Sequence, residues 1–130
     1  MGVKRTAKSK QNTGELLCPI RYILTVFGGK WKLPIVCLLS SGTPRRYSIL
    51  KKKLGNITNV MLSQSLKELE TEKIVHRKQY NEVPPRVEYT LSEKGKRILP
   101  ALGQLGEWAK ENMQNEHSGD FYCESCYGDR

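Results

Sequence analysis

The chain has 130 residues, 38% hydrophobic, 27% charged and 8% aromatic, which fits one globular domain with one modest core. Lys and Arg outnumber Asp and Glu 22 to 13, for a net charge of +9. No apolar run approaches the roughly 18 residues of a membrane span, residues 1–14 lack the apolar stretch of a signal peptide, and the cysteines are too few for a disulfide scaffold, so a cytoplasmic domain with no membrane partner is expected.

Residues 1–14 are polar and basic without periodicity and read as a flexible basic arm. Residues 15–113 read as the folded domain. Leu16, Leu17, Ile20, Ile23, Leu24 and Phe27 recur at helical spacing, and Gly28-Gly29 ends that helix. The run Leu33-Pro34-Ile35-Val36-Cys37-Leu38-Leu39 is apolar nearly all round, which predicts a buried helix with Pro34 in its first turn. A turn cluster at 40–44 follows, then a strand of two or three residues at Arg46-Tyr47. Ser48 is expected to cap a short helix over 49–54, with Ile49, Leu50 and Leu54 inward, closed by Gly55. Thr58 caps the next helix, residues 59–72, whose apolar stripe is Leu62, Leu66 and Leu69.

The period then changes. Residues 74–80 read as a strand, 81–85 as a proline-stiffened loop, and Val87, Tyr89 and Leu91 as the inward side of a second strand. Ser92 is expected to start one last long helix with Ile98, Leu99, Leu102, Leu105 and Trp108 as its stripe, with a kink or local break from Pro100 and Gly103. Residues 114–130 read as a polar tail containing Cys123-x-x-Cys126. The fold class is therefore α+β, mainly helical: a winged helix-turn-helix.

Charge and pattern converge on one surface. Residues 41–80 carry a net +6, whereas 101–130 carry −4, which suggests a polyanion-binding face in the middle of the chain. A solvated lysine-rich surface is the plain alternative. On the helix at 59–72, Val60, Gln64 and Lys67 point away from the leucine stripe, with Asn59 and Ser63 beside them. Such a face can enter a major groove, where Gln or Asn reads adenine, Lys reaches guanine or phosphate, and Val meets a thymine methyl. The hairpin that follows brings Arg77, Lys78 and Arg86, and Arg46 precedes the unit. Arg46, Asn59, Val60, Ser63, Gln64, Lys67, Arg77, Lys78 and Arg86 are the candidate contacts to double-stranded DNA. Neither the stripe ending in Trp108 nor that of Leu16, Leu17, Ile20 and Leu24 can be buried within so small a domain, which predicts a homodimer through both.

The ordered set Cys18-Pro19, Gly29-Lys30-Trp31, Leu33-Pro34-Ile35, Arg46-Tyr47, Ile57-Thr58 and Pro84-Pro85-Arg86-Val87-Glu88-Tyr89-Thr90-Leu91, closed by Gly95, Leu105 and Trp108, resembles the HxlR-type winged helix-turn-helix transcriptional regulators of bacteria. It spans about 70% of the chain. The resemblance implies a cytoplasmic homodimer on operator DNA, with N- and C-terminal dimerisation helices, a recognition helix at 59–72 and the hairpin as its wing. It departs at Lys73, where the family usually has Gly; if that position is left-handed, a non-Gly residue there costs about 1 kcal/mol. The tail is also outside the family pattern.

Cys18 starts the first helix close to Arg21, and helix N-termini and nearby bases lower a thiol pKa. Several members of the family use the matching cysteine as a sensor of electrophiles or oxidants, so Cys18 is the candidate sensor thiol; a buried, inert thiol is the alternative. Cys37 reads as core packing. Cys123 and Cys126, with His117 as a third ligand, resemble half a zinc site, but the usual second cysteine pair is missing, and a mobile thiol pair, or a local disulfide after oxidation, is the preferred reading. No cofactor is expected. With two histidines, no glycine-rich phosphate loop and neither a G-x-S-x-G nor an H-E-x-x-H motif, the chain does not read as an enzyme. The leading function is a sequence-specific DNA-binding regulator. The competing readings are a basic nucleic-acid protein indifferent to sequence, and a thiol- or metal-responsive protein whose DNA binding is secondary.

Overall fold

Residues 17–113 are described by the computed structural model. The basic arm at 1–14, Leu16, and the tail with His117, Cys123 and Cys126 lie outside the described residues. In chain order the elements are α1 (Pro19–Phe27), α2 (Lys32–Leu38), β1 (Arg45–Arg46), α3 (Tyr47–Leu54), α4 (Asn59–Thr71), β2 (Val75–Tyr80), β3 (Arg86–Leu91), α5 (Glu93–Lys96) and α6 (Leu99–Met113).

The core forms where the sequence is most apolar. Ile35, Val36, Leu38 and Leu39 from the α2 segment meet Leu50 and Leu54 of α3 and Leu62, Leu66 and Leu69 of α4, all buried. Pro34 sits in the first turn of α2, where its missing N–H would have had no helical partner. Gly55 closes α3 with φ 79°. Thr58 accepts a bond from the Met61 amide through its hydroxyl at 3.1 Å, so α4 begins at the residue the cap dictates. Ile49 does not point inward as its neighbours do. It is exposed, because β1 ends at Arg46 and Tyr47 already belongs to α3, which turns the helix relative to a start after Ser48.

The other end of α4 is closed by two bonds, Ile74 N–H to the Leu69 carbonyl and Lys73 N–H to the Glu70 carbonyl, both at 2.9 Å. This paired closure needs a left-handed residue, and Lys73 takes that conformation with φ 65°. The three strands are antiparallel in the order β1-β3-β2, with Lys78 opposite Glu88 and Tyr80 opposite Arg86 across the wing, and Arg46 opposite Glu88 on the other side.

The expected single long helix after Ser92 is two helices. Ser92 caps α5 by accepting from the Gly95 amide at 2.9 Å. A continuous helix would require an N–H at Pro100 for the Lys96 carbonyl, so the chain breaks after Lys96 and restarts at Leu99 with Pro100 in the first turn. Gly103 lies inside α6, which runs through it without a break. Ile98, Leu99 and Leu102 pack on the core; Leu105 and Trp108 do not.

Candidate nucleic-acid interface

The fold turns the polar side of α4 to solvent. Asn59, Val60, Ser63, Gln64 and Lys67 together line one open, shallow surface, the five residues expected of this helix. Val60 is 74% exposed. The side chains of Lys67 and Val60 have no hydrogen bond or ion pair among the described residues. The others are engaged from behind. The Tyr47 hydroxyl reaches the Asn59 side-chain oxygen at 3.0 Å and the Ser63 hydroxyl at 3.2 Å, tying the start of α3 to the first turns of α4. Gln64 donates from Nε2 to Glu68 at 3.0 Å, and Lys32 of α2 pairs with the other oxygen of Glu68 at 2.7 Å. The Lys32 ammonium, and after it the Gln64 amide, hold the Glu68 carboxyl below the usual carboxylate range.

The cations outside α4 are arranged differently. By register, the side chains of Arg46, Lys78 and Glu88 share one face of the sheet, and those of Tyr80 and Arg86 extend it. Arg86 is paired with Glu82 at 2.8 Å and Glu88 at 3.1 Å, and its guanidinium lies 3.9 Å from the Tyr80 ring centroid. The Lys78 ammonium lies 5.0 Å over the same ring. Arg77 falls on the opposite face, in register with Tyr89, and donates to Gln79 at 3.4 Å. The wing cations therefore divide between two faces, and Arg86 is neutralised within the hairpin.

Cys18 sits at the N-cap position of α1 and is exposed. The backbone amides of Arg21 and Ile20, and then the Arg21 charge, lower its thiol pKa from the ordinary value. Along the helix that it opens, Ile20 and Leu24 are 64% and 63% exposed; on α6, Leu105 and Trp108 are 61% and 66% exposed. Cys37 is half-buried in α2.

The family pattern of HxlR-like helix-turn-helix proteins matches residues 26–117. The chain belongs to the HxlR-like helix-turn-helix family. An uncharacterised HTH-type transcriptional regulator of Halalkalibacterium halodurans is 46% identical over 97 residues, covering 75% of this chain and 86% of the relative. Among solved structures, the redox regulator HypR in its oxidised form is 40% identical with a TM-score of 0.66, covering 73% of this chain and 97% of that one. The reduced form of the transcriptional regulator YodB from Bacillus subtilis is 29% identical with a TM-score of 0.65, covering 79% and 100%. The chain is thus a transcriptional regulator of the helix-turn-helix class with a winged-helix fold. Its relatives are regulators and not enzymes. Among the described residues, no helix is long and apolar enough to cross a membrane.

Two contributors escape a reading of the sequence alone. Tyr47, expected in a strand, is the hydrogen-bond hub of the α3–α4 corner. Glu68 reads as part of a charged helix end but joins Lys32 to Gln64. The second had a visible signal, since Gln64 and Glu68 stand four apart on one helix.

Proposed function

We propose that this regulator binds operator DNA sequence-specifically as a homodimer, with α4 in the major groove and the hairpin beside it, and that Cys18 makes binding responsive to thiol-reactive signals. The observation that carries the reading is the outward face of α4. It gathers two amides, a hydroxyl, a methyl-bearing side chain and an unpaired ammonium on one open surface, the chemistry that base edges and phosphates require. Arg46, Arg77 and Lys78 would contribute backbone contacts that fix register. One protomer covers one half-site, so two are needed, with half-sites about one helical turn apart. The uncovered apolar residues of α1 and α6 supply a surface for that pairing. Such a protein works where the chromosome is, in the cytoplasm.

Competition between a duplex selected from a randomised pool and bulk mixed-sequence DNA tests the first part. Strong preference for the selected duplex is expected; equal binding would make the chain a sequence-indifferent basic protein. Light scattering should give a dimer at micromolar concentration, and a monomer would remove the two-half-site arrangement.

The thiol part draws on the exposure and lowered pKa of Cys18, and on likeness to HypR, described as a redox regulator. Because the thiolate is the nucleophile, alkylation of Cys18 should reach half its maximal rate at a lower pH in the native protein than in denaturant. A thiol oxidant should change operator affinity in wild type and not in Cys18→Ser. A response that survives in Cys18→Ser and disappears in Cys123→Ser/Cys126→Ser would move the switch to the tail.

A further inference from the structure

Glu68 is held from two sides. Lys32 is only 12% exposed and belongs to another helix, so it anchors one carboxylate oxygen to the body of the domain. The other oxygen accepts from Gln64. Only the amino end of the Gln64 carboxamide can face a carboxylate, since an oxygen there would be repelled. The remaining amide hydrogen and Oε1 have no partner among the described residues. A glutamine on an open helix surface loses its rotamer freedom when it binds; one tied through Glu68 to a largely covered lysine of another helix has lost it already. Its free edge offers one acceptor and one donor, the complement of the adenine N6 amino group and N7.

Charge gives a second, independent reason. A carboxylate beside a face meant for DNA opposes phosphate binding. Glu68 weakens the site by its charge unless it serves the site in another way, and its contact with Gln64 is that service.

We propose that Glu68, anchored by Lys32, is a positioning residue that sets the preference of Gln64 for adenine. This deepens the DNA-binding reading above and rests on it. The experiment uses the full chain as wild type, Gln64→Ala, Glu68→Ala, Glu68→Gln and the Gln64→Ala/Glu68→Ala double variant. Each is titrated against the duplex that wild type selects from a randomised pool, against all its single-base variants, and against bulk DNA. Glu68→Ala should bind bulk DNA more tightly yet lose about tenfold discrimination at the base position that Gln64→Ala also blurs. Glu68→Gln, which keeps an acceptor for the amide, should retain most of that discrimination, and the double variant should be no less selective than Gln64→Ala. A purely structural role would instead lower both affinities together. The inference is overturned if Glu68→Ala keeps full discrimination, or if its loss adds to that of Gln64→Ala, which would mean that Glu68 touches a base itself. If wild type selects no sequence at all, the DNA-binding reading falls first and takes the inference with it.

Discussion

On α4, the side chains expected to touch DNA project from a helix whose other side is the core, and their internal partners hold them in place without covering them. On the outer face of the sheet, the cations expected to do the same work surround Glu88, and Arg86 is paired with two carboxylates while stacked on Tyr80. The difference has a simple origin. The facing of a helix follows from one local period, so a leucine stripe fixes what points outward. The environment of a strand cation is decided by cross-strand neighbours, and those depend on a register set by the loop. Counting basic residues therefore overstates the charge that the wing presents to a phosphate.

The two regions meet at Gly95, and the largest effect is expected there. A Cβ at this position would collide with the carbonyl oxygen of Ile74, the residue that leads from α4 into β2. That carbonyl also accepts from the Ser92 amide at 2.9 Å and from the Ser92 hydroxyl at 3.0 Å, so it cannot yield without breaking the corner. Gly95→Ala should cost about 3 kcal/mol, as backbone overpacking does. Thermal melting checks this, and an unchanged midpoint would mean that α4 and the wing are not held together at this corner.

Next in size is Gln64→Ala. Loss of one bidentate base contact should remove about 1–3 kcal/mol of discrimination at a single base pair. Competition among single-base variants measures it, with binding to bulk DNA as the control. No change at any position would mean that the outward face of α4 is not the reading surface.

A paired substitution separates the two regions directly. Lys67→Ala removes an unpaired ammonium from α4 and should flatten the dependence of log affinity on log salt by about one unit. Arg86→Ala removes a cation already neutralised by Glu82 and Glu88, so the slope should change by less than about half of that, while stability falls slightly from the lost pairs and stacking. Equal slopes for the two variants would show that Arg86 leaves its carboxylates when DNA arrives.

Much of this was legible in the residues. Thr58 and Leu62, Leu66 and Leu69 fixed both the start and the facing of α4, and alternation at Val87, Tyr89 and Leu91 placed the second wing strand. Other features were not. The facing of Ile49 depended on where a two-residue strand ended, which no local period encodes. The break before α6 was signalled by Pro100, which predicted a kink or local break; the interruption falls just ahead of it because proline disrupts the turn before itself. The role of Arg86 was half visible. Glu88, two along the same strand, shares its face, whereas Glu82 reaches it only because the loop folds back.

The smallest effect concerns the one strained residue between the two regions. Lys73 ends α4 in the left-handed conformation, φ 65°, and its carbonyl accepts from Ser92 at 2.6 Å. A side chain there crowds its own backbone, and glycine does not. Lys73→Gly should stabilise the domain by somewhat under 1 kcal/mol. The substitution also deletes a charge, so Lys73→Ala is the control: it deletes the same charge and keeps the crowding. The difference between the glycine and alanine variants is then the backbone contribution alone, expected near 1 kcal/mol in favour of glycine. Denaturant titration with equal m-values for the variants measures it. If alanine matches glycine, the closure of α4 carries no strain, and the bonds from Lys73 and Ile74 to the helix end suffice to hold a lysine there. If glycine is the more stable but binds the operator less tightly, the Lys73 ammonium belongs with Lys67 among the cations that the DNA feels.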